Sequence, residues 1–137
     1  MKLPAFFLAS LLLTPSVFAE TPAQLLATYS GEAAKTQPGF TPSVERGRNF
    51  YLEQRKVTDR MTNCAVCHGD DPKQPGTHIV TGKTIEALAP TGGSKRFTDQ
   101  AKSDKWFGRN CKEVIGRECT PAEKADMLRF LIAKSGT

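Results

Sequence analysis

Apolar positions recur at helical spacing in four stretches of this chain, and no stretch alternates with the period of a strand. The first predicted helix runs from Thr21 to about Lys35. Thr21 can cap it, Pro22 suits the first helical position, and Gln24 completes a capping box. Pro38-Gly39 breaks it. The second is predicted from Thr41-Pro42 through Val44, Gly47, Phe50 and Tyr51 to about Gln54. Gly47 lies one turn from Tyr51 on the same face, so its missing side chain would let another helix approach closely. The third spans Asp99 to Arg109 and carries Trp106 and Phe107. The last opens on Thr120-Pro121-Ala122-Glu123, a capping box with proline at the first position, and runs to about Lys134. Met127, Leu128, Phe130, Leu131 and Ile132 supply its apolar positions, and Gly136 lies just beyond its end. Between Asp59 and Arg96 the chain is rich in proline and glycine. Such a stretch builds no large core of its own, and wrapping a cofactor would explain it. The pattern predicts an all-α fold with long loops, without internal repeats.

The first nineteen residues stand apart. Lys2 gives a positive start, Leu3 to Leu13 is almost wholly apolar, and Val17-Phe18-Ala19 places small residues at the third and first positions before a cleavage site. This is the layout of a secretory signal peptide. The apolar run falls short of the ~20 residues that span a bilayer. The expectation is a signal peptide over residues 1–19 and one domain over residues 20–137, exported to the periplasm. No later segment is apolar enough to cross a membrane. The formal net charge of +5 loses only Lys2 with the leader. That mild excess lacks the dense Lys/Arg patterning of a nucleic-acid binder and suits an acidic protein partner.

All four cysteines follow the leader, in a compartment that permits disulfides. Cys64-Ala65-Val66-Cys67-His68 is a C-x-x-C-H motif, the pattern of c-type haem attachment. Two thiols at this spacing reach the two vinyl groups of one porphyrin, and the next residue places an imidazole beneath the iron. One covalently bound haem c is expected, with His68 as axial ligand. A thioredoxin-like pair would need a βαβ context that is missing, and a disulfide within C-x-x-C would be strained. Cys111 and Cys119 are too far apart for the paired spacing of a zinc ribbon. No histidine follows Cys119, so a Cys111–Cys119 disulfide is expected instead, worth about 2–3 kcal/mol in the chain-entropy treatment.

The second axial position decides the function, and the residues alone leave it open. Met1 goes with the leader, Met61 stands too close to Cys64 to cross the ring, and Met127 sits in an apolar helix face. His78 lies in a turn only ten residues beyond His68. Asn110 would serve as the cap at the end of the third helix.

Further residues bear on this question. Thr81-Gly82-Lys83, Leu88-Ala89-Pro90, Arg96-Phe97-Thr98-Asp99, Lys105-Trp106-Phe107, Arg109-Asn110-Cys111 and Gly116-Arg117-Glu118-Cys119-Thr120, followed by Glu123-Lys124, resemble the sphaeroides haem protein family of small bacterial c-type cytochromes. Glu45-Arg46-Gly47-Arg48 fits as well, so the resemblance covers nearly all of the exported chain. It implies a class I cytochrome c-like monohaem fold with an extra N-terminal helix. It places an asparagine side chain, Asn110, on the distal side of the iron and a Cys111–Cys119 disulfide near the haem. It implies a dihaem cytochrome c as electron donor, and reactions of oxygen and nitric oxide. A diatomic gas would bind once reduction releases Asn110, and nitric oxide dioxygenase-like activity is an open expectation. Lys83, Arg96 and Trp106 are candidate partners of the haem propionates. Two other functions remain: a plain electron carrier with Met127 or His78 as permanent sixth ligand, and a haem-based gas sensor.

Overall fold

The structure, a computed structural model, describes residues 19–136, so the leader reading lies outside the described residues except for Ala19. The elements run in the order α1 (Pro22–Thr36), α2 (Val44–Leu52), α3 (Ala65–His68), β1 (Gly76–Thr77), β2 (Thr84–Ile85), α4 (Gln100–Ile115) and α5 (Pro121–Ser135). The two strands form an antiparallel ribbon in which Gly76 faces Ile85 and Thr77 faces Thr84. Two residues per strand are too few for any alternation to announce them.

Both capping boxes form as expected, Thr21 with Gln24 on α1 and Thr120 with Glu123 on α5. Two boundaries differ from expectation. α2 starts after Ser43, not at Thr41. The Ser43 hydroxyl accepts from the Arg46 N–H, while the Ser43 N–H donates to Asp126 Oδ1 on α5 at 2.7 Å. Thr41 stays in the extended lead-in, where its carbonyl accepts from Arg46 Nη2.

The second difference matters more. α4 does not stop at Arg109 but continues six residues further, to Ile115. Asp99 caps its start by accepting from the Lys102 N–H at 2.8 Å. Nothing from Asn110 to Ile115 breaks a helix. Gly116, at φ 80°, is the first residue able to take the left-handed turn without a steric penalty, and it ends the helix there. Asn110 therefore lies inside α4, and the reading of it as a helix cap is overturned.

α5 is the central element. One face packs Ala125 and Leu128 on Leu25 and Tyr29 of α1. The neighbouring face packs Met127, Phe130 and Leu131 on Tyr51 of α2. The α2–α5 crossing is close because Gly47 faces the Asp126 carbonyl and the Phe130 Cβ, where any added Cβ would collide. Arg46 ties the same crossing, with Nε at 2.7 Å and Nη2 at 2.8 Å from the two oxygens of buried Asp126. With the Ser43 N–H also donating, the Asp126 carboxylate is fully paired, which is what makes its burial tolerable.

α4 stands off from this three-helix unit and meets it through side chains. Asp104 accepts from the Tyr29 hydroxyl of α1 at 3.0 Å and from Lys124 Nζ of α5 at 2.7 Å. The Phe107 ring meets Tyr29 edge-on at 5.8 Å and lies near Phe97. Among the described residues no helix is long and apolar enough to cross a membrane.

The crossing gives a prediction. Gly47→Ala should lower stability by about 1–3 kcal/mol, the range for overpacking a tight contact. Gly31→Ala, at an α1 position with open space around it, should be neutral or mildly stabilising. Denaturant midpoints of the two variants test the contrast.

Candidate haem site

The end of α2 positions the C-x-x-C-H segment. The last carbonyls of a helix lack intrahelical partners, and here the approach to the motif supplies them. The Arg55 side chain donates to the Phe50 carbonyl, the Cys64 N–H to the Tyr51 carbonyl, and Asn63 Nδ2 to the Leu52 carbonyl at 3.1 Å. Asn63 is buried, and its Oδ1 accepts from the Val66 N–H at 2.9 Å. One side chain thus joins the end of α2 to the start of α3. Tyr51 adds a second tie, its hydroxyl donating to the carbonyl of Gly69 just past His68.

α3 is a single turn, and it brings Cys64, Cys67 and His68 to one cavity of about 360 Å³. Phe50, Leu88, Phe97, Phe107 and Val114 give that cavity apolar walls. Two free thiols and an imidazole on one turn, facing an apolar space of ligand-pocket size, fit a covalently held porphyrin. The other two cysteines are joined as the Cys111–Cys119 disulfide, with a Cα–Cα distance of 5.6 Å, which removes them from any four-cysteine zinc arrangement. Burial pushes the Cys64 thiol up to about 11. Burial also pushes the His68 imidazole down to about 4, with Arg96 and His78 adding to the effect. The ring is therefore neutral at pH 7, the form that offers a lone pair to a metal. His68 Nδ1 is buried without a hydrogen-bond partner.

The remaining predicted residues divide. Arg96 and Trp106 line the cavity, and Trp106 is exposed towards open space. Arg96 is fixed by donating to the Ala87 and Glu86 carbonyls at 2.9 and 3.0 Å. Lys83 is exposed beside the β1–β2 turn and is not among the lining residues, so the structure does not bring it to the cavity with the other two. Asn110 faces the cavity from the middle of α4 and is exposed. The alternative ligands line it too, but each has another engagement. Met127 is buried in the α2–α5 core, and His78 Nδ1 accepts from the N–H groups of Val80 and Thr81.

The family described as a domain of unknown function, DUF1924, matches residues 37–131. Over 129 residues the chain is 45% identical to the cytochrome c-type protein SHP of Cereibacter sphaeroides, covering 93% of this chain and 95% of that one. The chain belongs to the sphaeroides haem protein family. It is accordingly a c-type cytochrome, its cofactor is covalently attached haem c, and its helical fold is that of the cytochrome c structures it matches. One of these is oxidised SHP, described as an oxygen-binding cytochrome c, with a TM-score of 0.75 and 44% identity over 85% of this chain and 99% of that one. Another is the solution structure of cytochrome c'' from Methylophilus methylotrophus, described as giving insights into haem-ligand detachment. It matches with a TM-score of 0.69 and 33% identity over 81% of this chain and 91% of that one.

Within this sphaeroides haem protein family member, sequence reasoning missed two residues that shape the site. Asn63 was readable in principle, because asparagine just before a helical turn is a capping signal. Phe97 has φ 58°, an uncommon conformation for a bulky residue, and holds its ring against the cavity. No local signal gives that away.

Asn63→Ala should cost the holoprotein about 1–3 kcal/mol, because it strands the half-buried Leu52 carbonyl and Val66 N–H. Asn63→Asp keeps the acceptor for the Val66 N–H but sets an unpaired carboxylate oxygen against the Leu52 carbonyl, so it should cost at least as much. Unfolding curves of both variants at matched haem content check the order.

Proposed function

We propose that this protein is exported by cleavage after Ala19 and works in the periplasm as a cytochrome that accepts electrons and, when reduced, binds a diatomic gas. Cys64 and Cys67 attach the haem, His68 is its proximal ligand, and Asn110 is the distal residue. Haem c supplies an iron that changes oxidation state and takes a small ligand. Every other step belongs to the chain. The Asn110 amide oxygen is a hard, weak donor, better matched to ferric than to ferrous iron. Reduction of a haem held there would therefore weaken its hold on Asn110, whose amide N–H could then donate to a diatomic ligand.

The observation that carries this reading is the position of Asn110 in the interior of α4, facing the same cavity as Cys64, Cys67 and His68. The core burial of Met127 and the turn contacts of His78 weigh against a permanent sixth ligand. The oxygen binding described for SHP and the ligand detachment described for cytochrome c'' support the same reading. The electron donor we favour is a dihaem cytochrome c. The activity that fits is oxygen-dependent nitric oxide chemistry, in which nitric oxide, dioxygen and one donated electron give nitrate.

Absorption spectra of the oxidised and reduced holoprotein, with and without carbon monoxide, test it. The reduced protein should be high-spin and shift at once with carbon monoxide. Asn110→Met should be low-spin when reduced and lose that response. A wild-type reduced spectrum that is low-spin and indifferent to carbon monoxide would make the protein a plain electron carrier.

A further inference from the structure

Among the described residues, and apart from its two imidazoles, the cavity is lined by three side chains that carry charge: Arg96, Arg109 and Glu113. Arg96 is held by two backbone carbonyls. The other two flank Asn110 on α4, Arg109 directly before it and Glu113 nearly one turn after it. Arg109 Nε donates to Glu113 Oε1 at 3.1 Å, and its guanidinium lies 5.8 Å from the Trp106 ring centroid. The Arg109 side chain is 59% exposed. Glu113 engages only Nε, which leaves the terminal nitrogens without a partner among the described residues.

We propose that Arg109 makes the pocket beside Asn110 a site for small monovalent anions, with Glu113 holding the guanidinium at its lip. The inference rests on the distal assignment of Asn110. Haem c carries two carboxylates, whose field repels an approaching anion. A cation at the mouth offsets that field, and apolar walls screen it less than water would. Glu113 orients the guanidinium and partly cancels its charge, so the two residues act on an anion with opposite sign. A neutral diatomic gas is indifferent to both.

The test is stopped-flow binding of azide to the oxidised holoprotein, alongside carbon monoxide binding to the reduced one. Arg109→Gln should slow azide association by about three- to tenfold at low salt, and Glu113→Gln should speed it. Arg109→Lys should retain most of the wild-type rate. The differences should shrink as salt rises, while the carbon monoxide rate stays constant across the series. An azide rate unchanged in Arg109→Gln, or azide and carbon monoxide rates that fall together, would overturn the proposal. Wild-type protein that does not bind azide would overturn it as well. Failure of the reduced wild type to bind carbon monoxide would instead overturn the gas-binding reading, and the azide series would still decide the role of Arg109.

Discussion

At Gly47 the backbones of α2 and α5 meet with no side chain between them, and the position of the haem-attachment segment follows from that contact. The crossing fixes where α2 ends, and the free carbonyls at that end receive the Cys64 N–H and the Asn63 amide. Cys64, Cys67 and His68 therefore take their places from a helix crossing more than a dozen residues earlier in the chain. Asp126 serves the same joint twice, its backbone carbonyl touching Gly47 and its carboxylate holding Arg46 and Ser43. A buried carboxylate is costly unless its lone pairs are filled. Here its pairing also specifies the register of α2 on α5.

The second organising fact is that the apolar side chains do not fill the space they enclose. α5 completes tight contacts with α1 and α2, while α4 stands across a cavity and reaches the other helices through Asp104, Phe107 and the disulfide. A small exported domain has little core to spare. An apolar cofactor in that space supplies contacts the chain lacks, consistent with a c-type cytochrome whose haem is joined covalently.

How much of this was legible in the sequence depended on the range of the interaction. Thr21-Pro22 and Thr120-Pro121 announced their helices because capping is settled within four residues. Cys64, Cys67 and His68 were legible because their chemistry dictates their spacing. That Gly47 lies on a helix face open to close approach followed from helical periodicity, but its partner, Phe130 on α5, did not. The start of α2 was misplaced because Ser43 is held by Asp126, far away in the chain. The end of α4 was misplaced because Asn110 read as the close of a helix that Gly116 closes. The conformation of Phe97 and the displacement of Lys83 from the cavity depend on how the loop closes in space, which local sequence does not encode.

α4 is pinned towards its start, where Asp104 holds Tyr29 and Lys124, and again at Cys111, immediately after Asn110. A rod fastened on both sides of one residue cannot carry that residue away by tilting. If Asn110 leaves its position, it leaves by rotation about its own side-chain bonds. Such rotations take picoseconds to nanoseconds, whereas hinge motions of whole elements take microseconds to milliseconds. The swing of that side chain would then be far faster than any rearrangement of the helix that carries it.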